Sequence, residues 1–348
     1  MVDLIVFVVV LGGLILGHEL GHYLAMRGWR IEVEEFGLGF PPRLRTLFHL
    51  GRTRFTLNLI PLGGFVRPVG DDDPSVPGGL AAAPIAARAT VLLAGPAANV
   101  LLALLAYTTA YRFAAPDLTR VLITAVQPGS PAAAAGVLPG DIVLSVDDTP
   151  IDGFGILQES IGAHLGEEVT ITLERAGTQQ VVTLVPRQTP PHGEGPIGVT
   201  LGNPTQPVGW TEAFSIGAQT TVTQFGEILR LPGRLINGEL TPAEARVSGL
   251  KGMYDMLAWA SEIDRSSQRP FLTLNLIGVI SGGLAIANLL PFPALDGGRL
   301  MFVAFELVFR RRIAARYEGI AHAVGFAVLL VLMVYVNVQD FANPIKLP

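Results

Sequence analysis

Three ionisable side chains stand within five positions of one another at His18-Glu19-Leu20-Gly21-His22. On a helix, His18 and His22 fall at i and i+4 on one face, so both imidazoles can reach a single metal ion. Glu19 is placed beside the first of them to hold a water on that metal. Together these are the parts of a metal-assisted hydrolysis. A catalytic zinc site takes three protein ligands and keeps a position open for water, so one ligand remains to be found. His49, His164, His192 and His322 are scattered along the chain and read as ordinary surface or loop residues. Asp296 is the stronger candidate. It closes the run Asn288-Leu289-Leu290-Pro291-Phe292-Pro293-Ala294-Leu295-Asp296, and Gly297-Gly298 follow. The prolines cannot continue a helix, and the glycines free the backbone just after the carboxylate. Cysteine is absent, which excludes thiolate metal sites, iron–sulfur clusters, disulfides and cysteine nucleophiles.

The elements that must position these residues are membrane spans. Of 348 residues, 15% are charged and 50% hydrophobic, where a soluble domain carries about 25% charge. That composition excludes a disordered chain, a coiled coil and a highly charged nucleic-acid binder. Residues 4–26, 89–111, 271–295 and 319–339 are each long and apolar enough to cross a bilayer. The first fits a removable signal peptide poorly, because it opens on Asp3 and ends in His and Glu. Ionisable residues inside a span are expensive and by default functional, which gives His18, Glu19 and His22 their weight. Eight arginines lie between Arg27 and Arg88 and five between Arg299 and Arg316, so both segments are expected in the cytoplasm. The termini and the long segment between spans two and three then lie outside. His18 and Asp296 both fall at the cytoplasmic ends of their spans. This match in depth was not built into the topology, which rests on arginines alone.

The expected division follows. Residues 1–26 form the first span, 27–88 a cytoplasmic membrane-associated β-hairpin loop, and 89–112 the second span. Residues 113–207 have soluble composition, with alternating strands and the turn-forming groups Ser130-Pro131-Ala132 and Pro139-Gly140-Asp141; this segment resembles a PDZ domain. Residues 117–187 carry nine acidic and three basic residues, a balance of −6 beside −5 for the whole chain, so the acidity sits in the outer domain. Residues 208–270 read as amphipathic helices along the outer membrane surface, broken at Pro232-Gly233 and near Gly249. A third spanning segment at 271–298, a basic cytoplasmic segment at 299–318, a fourth span at 319–339 and an outer tail at 340–348 complete a polytopic α-helical membrane protein. The hairpin loop has too few residues for its own core and must lean on the spans or the membrane.

The pairing of HELGH in one span with N-x-x-P-x-P-x-L-D-G in a later one resembles the site-2 protease family of intramembrane zinc metalloproteases. It is most similar to the PDZ-bearing bacterial branch typified by the regulator of sigma-E protease. "FGLGF", "LIPLGGFV", Gly95-Pro96-Ala97-Ala98-Asn99 and "DGGRLMFVAFELVFRRR" extend the likeness along the chain. The resemblance implies one zinc ion held by His18, His22 and Asp296, with Glu19 as the base that activates the water. Asn288 and Asn99 are implied at the substrate. The implied activity is cleavage of the transmembrane helices of single-span proteins in regulated intramembrane proteolysis, such as anti-sigma factors or signal-peptide remnants, after a first cut by another protease. The expected place is a bacterial inner membrane, with the PDZ domain and both termini outside; the expected partners are membrane substrates and the lipid bilayer, without nucleic acid. The chain departs from the two-PDZ design of the regulator of sigma-E protease in having one such domain, and from the family in Ser248-Gly249-Leu250-Lys251 where Ser-Gly-Pro is usual. Two other functions suit the same residues: a PDZ membrane scaffold with an inert zinc site, and a metal transporter or sensor. An edge strand of the hairpin loop around residues 53–67 is expected to pair with unwound substrate, with Thr56 as the position to disrupt.

Overall fold

The computed structural model describes residues 2–71, 73–191, 193–240, 246–267 and 269–344. His192 lies outside the described residues. In chain order the elements are α1 (Val2–Gly28), β1 (Val33–Leu50), β2 (Thr53–Pro68), α2 (Ile85–Ala114), β3 (Ala115–Pro116), β4 (Val121–Val126), α3 (Pro131–Ala134), β5 (Ile142–Val146), β6 (Thr149–Pro150), α4 (Phe154–Ala163), β7 (Val169–Arg175), β8 (Thr178–Leu184), β9 (Val199–Gly202), β10 (Thr205–Gln206), α5 (Trp210–Ile236), α6 (Leu250–Ser267), α7 (Phe271–Leu289), α8 (Asp296–Phe309) and α9 (Ala315–Ala342). They form two compact units, Arg112–Val208 and the remainder.

In the larger unit α1, α2, α7 and α9 are, among the described residues, the helices long and apolar enough to cross a membrane. Large apolar side chains such as Leu24, Leu101, Val279 and Val331 stay exposed on them, as lipid-facing surfaces require. Small residues let the helices close on one another. A Cβ on Gly21 would meet the Ala94 carbonyl, and one on Gly278 would enter the Tyr107 ring. The Ser281 hydroxyl donates to the Asn99 carbonyl at 2.8 Å, fixing α7 against α2. Asp340 accepts from the Gly249 and Gly252 amides at 2.8 and 2.9 Å and from Arg246, joining α9 to the start of α6.

α5 differs from the expectation. It runs through Pro232 without ending and stops at Ile236, just before Gly238 with φ +73. A proline removes the helical bond it would itself donate and crowds the carbonyl four residues back, and the flanking turns carry the helix past it. Nor does α5 lie only along a surface. Gly217 packs on Thr108, and Gln224 takes the Tyr107 hydroxyl at 3.0 Å while donating to the Val279 carbonyl at 2.8 Å. α8 supplies the first part of the basic segment 299–318 as helix.

β1 and β2 each serve more than one ladder. Residues 43–50 pair with 53–58, and 54–57 also lie beside 35–38, whose other side pairs with 64–67. The order across the layer is 43–50, 53–58, 35–38, 64–68. Thr56 therefore sits inside the layer between Gly37 and Thr46, fully buried, and not on an edge. One edge is residues 64–68. Phe36 and Val33 bury against Tyr23, Met26 and Val91, so the layer borrows its core from α1 and α2.

The smaller unit is a six-stranded antiparallel sheet, ordered β8-β7-β5-β4-β9 with β6 against β5. Val121, Ile123, Val143, Val169, Ile171 and Leu173 fill its core along with Leu157 and Ile161 of α4. Ser130 caps α3 by accepting from the Ala133 amide at 3.1 Å, with Pro131 at the first helical position. Asp141, after Gly140 with φ +97, accepts from the Leu138 amide and from Arg175 through two nitrogens.

Candidate metal centre

His18 and His22 stand one turn apart on α1, and their Nε2 atoms lie 3.1 Å from each other. Asp296 opens α8, and its Oδ2 is 3.1 Å from Nε2 of His18 and 3.2 Å from Nε2 of His22. What brings it there is the break in the chain after Leu289. α7 ends at that residue, the two prolines carry the backbone around, and α8 starts at Asp296 itself. Gly297 and Gly298 serve close packing rather than an unusual backbone angle. Both are helical, and a Cβ on either would strike carbonyls of Leu289, Leu290 or Phe292.

The hydrogen-bond partners decide what the three atoms can do. His22 Nδ1 faces the Val91 carbonyl at 2.8 Å. A carbonyl only accepts, so Nδ1 carries the proton and the neutral ring keeps a lone pair on Nε2. His18 Nδ1 lies 3.3 Å from Asn99 Nδ2, and the Asn99 side-chain oxygen has no partner. With that amide turned so that Oδ1 faces the ring, His18 takes the same tautomer. Asp296 Oδ2 is buried and has no hydrogen-bond donor. In that tautomer three lone-pair atoms converge with no proton among them, an arrangement that repels unless a cation lies between. Zinc with ligands at about 2.0–2.2 Å in tetrahedral array sets its ligand atoms about 3.3 Å apart. The observed spacings of 3.1–3.2 Å fit that donor set.

This cluster borders a cavity of about 420 Å³ that Glu19, Phe65, Val66, Asn288 and Arg299 also line. Val66 lines the cavity beside Glu19, and a Cβ on Gly64 would touch Glu19 Cγ. So the edge at residues 64–68 borders the glutamate. Asn288 is on the cavity wall with its Nδ2 given to the Leu284 carbonyl. Asn99 is elsewhere. It is 1% exposed and lies behind His18, outside the cavity lining, with its amide 3.3 Å from Nδ1.

Residues 6–332 match the profile of Peptidase family M50. The chain belongs to this family. A relative from Brucella suis biovar 1 (strain 1330) is 31% identical over 97% of this chain and 94% of its own length. Zinc metalloprotease RasP of Geobacillus kaustophilus is 28% identical over 97% of each chain. Metalloprotease MmpA of Caulobacter vibrioides is 28% identical over 98% of this chain and 95% of its own. This M50 chain is a site-2 type zinc metalloprotease of the membrane.

Sequence reasoning missed several contributors to the M50 site. Gly95 lies so close to both imidazoles that a Cβ would overlap them. Its appearance in Gly95-Pro96-Ala97-Ala98-Asn99 was the available signal, but nothing in the spacing says which helix it faces. His322 was read as an ordinary residue. It is instead half-buried on α9, with Nδ1 accepting from the Ala294 amide at 2.8 Å. His49 is exposed on β1, and His164 closes α4 by a bond to the Ser160 carbonyl.

Proposed function

We propose that this chain cleaves the membrane-spanning helices of single-span proteins, with His18, His22 and Asp296 holding one zinc ion and Glu19 as base. The observation that carries the reading is the convergence of three lone-pair atoms beside Glu19 on a cavity wall. Bound zinc supplies polarisation of a peptide carbonyl and a water acidic enough to ionise near neutral pH. The chain's own residues do the rest. Val91 and Asn99 hold the imidazoles in the tautomer that leaves Nε2 free. Glu19 takes a proton from the attacking water and delivers it to the nitrogen of the departing amine. Asn288 keeps its side-chain oxygen for a substrate amide.

A helical substrate has its backbone bonds already made, so it must unwind before a carbonyl can reach the site. Residues 64–68 form the edge that takes the unwound segment as an added strand, in place of the buried stretch around Thr56. The Arg112–Val208 unit is read as the PDZ domain, outside the membrane. Its apolar groove of about 280 Å³ between α4 and the edge strand β9, lined by Leu157, Ile161 and Val199, suits an extended peptide tail. Substrates then arrive shortened by another protease. The arginines of residues 27–88 and 299–316 support an orientation with both termini outside, and the bacterial relatives support a bacterial inner membrane as its place.

Zinc content and cleavage of a single-span substrate, compared between wild type and Glu19→Gln, test the proposal. Zinc is expected in both, with turnover about 10²–10⁴-fold lower in the variant. Cleavage by the variant at the wild-type rate sinks the reading.

A further inference from the structure

The stretch Leu290–Leu295 that delivers Asp296 is irregular backbone, and its conformation is costly. Ala294 has φ +79, a left-handed setting that non-glycine residues adopt only when the surroundings impose it. Bonds within the stretch run from the Phe292 amide to the Leu290 carbonyl and from the Leu295 amide to the Phe292 carbonyl. The Ala294 amide goes outside it, to His322 Nδ1 on α9 at 2.8 Å. One turn further along α9, Gly325 is buried against Pro293. A Cβ there would overlap the Pro293 carbonyl. Phe302 of α8 flanks the imidazole, with ring centres 5.5 Å apart. α9 therefore touches the two residues preceding Leu295-Asp296 at two points on one helix face, one polar and one steric.

We propose that His322 and Gly325 form a clamp that holds Pro293-Ala294 in its strained setting and so places the Asp296 carboxylate for the metal. His322 is a positioning residue. It acts through the backbone and meets neither the metal nor the substrate. As an acceptor at Nδ1 the ring carries its proton on Nε2, which faces Glu318 at 3.9 Å. Without the acceptor, the Ala294 amide loses the partner that offsets its backbone strain. The stretch then relaxes, and Asp296 leaves the position 3.1–3.2 Å from the two imidazole nitrogens. The inference rests on the zinc-site reading above, because a clamp on Asp296 matters only if that carboxylate is a ligand.

The test is zinc affinity of the purified full-length protein by chelator competition, with substrate cleavage measured alongside. His322→Leu removes the acceptor at nearly constant size, whereas His322→Asn puts an amide oxygen where Nδ1 was. The Leu variant is expected to bind zinc about 10–100-fold more weakly, the usual cost of losing a group that orients a ligand. The Asn variant should stay within about threefold of wild type, a rescue that a purely structural role for the ring would not give. Gly325→Ala leaves His322 intact, stays in a helix, and should weaken zinc in the same direction. Equal affinity of His322→Leu and wild type overturns the clamp, as does an Asn variant as weak as the Leu variant, or wild-type affinity in Gly325→Ala. Wild type and Glu19→Gln are run in parallel. Zinc in both, with cleavage only by wild type, leaves the metalloprotease reading standing, so that unchanged affinity in the His322 and Gly325 variants counts against the clamp alone.

Discussion

Asp141 in one unit and Asp296 in the other are treated in opposite ways. Asp141 in the Arg112–Val208 unit is fully buried, and its oxygens are taken up by the Leu138 amide and the Arg175 guanidinium. Asp296 is also largely enclosed, yet its Oδ2 has no donor and two imidazole nitrogens face it with lone pairs. A buried carboxylate held for stability is satisfied by its own chain, because an unpaired charge in a low dielectric is expensive. One left unsatisfied beside further electron-pair donors is held for something the chain does not supply. The contrast distinguishes a structural acid from a ligand without reference to any motif.

The sharpest way to break that contrast is to neutralise each acid at constant shape. Asp296→Asn is expected to abolish zinc retention and reduce cleavage to background while leaving the metal-free protein as stable as wild type, since no donor loses its acceptor. Metal analysis and thermal unfolding of the apo form read the two halves. An Asn variant that keeps both zinc and activity makes Asp296 a second Asp141. A smaller effect comes from the edge beside Glu19. Val66→Pro removes the amide that faces the cavity, and an edge strand tolerates proline when the lost N–H points outward. Cleavage should fall about 10–100-fold with zinc content unchanged, and the loss should appear in KM as well as kcat because Val66 also neighbours Glu19. An unaltered KM would falsify strand addition at this edge.

Much of the centre was legible because a few residue types mean little else in their setting. Histidine, glutamate and histidine at helical spacing in an apolar run have no cheap packing role. A carboxylate behind two prolines marks broken backbone that must line something. Register was not legible. The alternation of residues 33–68 reads as a hairpin, but two strands that each enter more than one ladder place Thr56 inside and Gly64–Pro68 at the rim, and only long-range pairing decides that. Direction was hidden too. Asn99 sits on the correct helix at the correct level, but whether its amide faces the cavity or the back of His18 depends on helix rotation, which α7 fixes through Ser281. His322 was passed over because its partner is a backbone amide, and a backbone amide leaves no mark in a sequence. Pro232 misled for a complementary reason. Its effect is local, and the packing of α5 on α2 and α7 outweighs it.

The smallest effect is in the structural acid. Arg175 beside Asp141 holds its carboxyl below the usual carboxylate range, chiefly through the side-chain hydrogen bond, against the opposing effect of burial. A carboxyl whose folded pKa is depressed adds stability that is fully present above its unfolded value of about 3.9 and is lost as pH falls through the lower folded value. The Arg112–Val208 unit should therefore loosen below about pH 4 by this route and be indifferent to it at neutral pH. Asp141→Asn removes the charge and leaves Arg175, itself partly exposed, without its anion. The expected cost is about 1–3 kcal/mol at neutral pH, with a flatter acid response. Hydrogen exchange of the β5 and β7 amides in the full-length protein reads both, because these strands carry Asp141's neighbours and Arg175. Zinc affinity should not move, since all three proposed ligands lie in the other unit. A steep acid response that survives in the Asn variant would assign it to other carboxylates of the unit, such as Glu174 paired with Arg120, and would leave Asp141's network held together by geometry more than by charge.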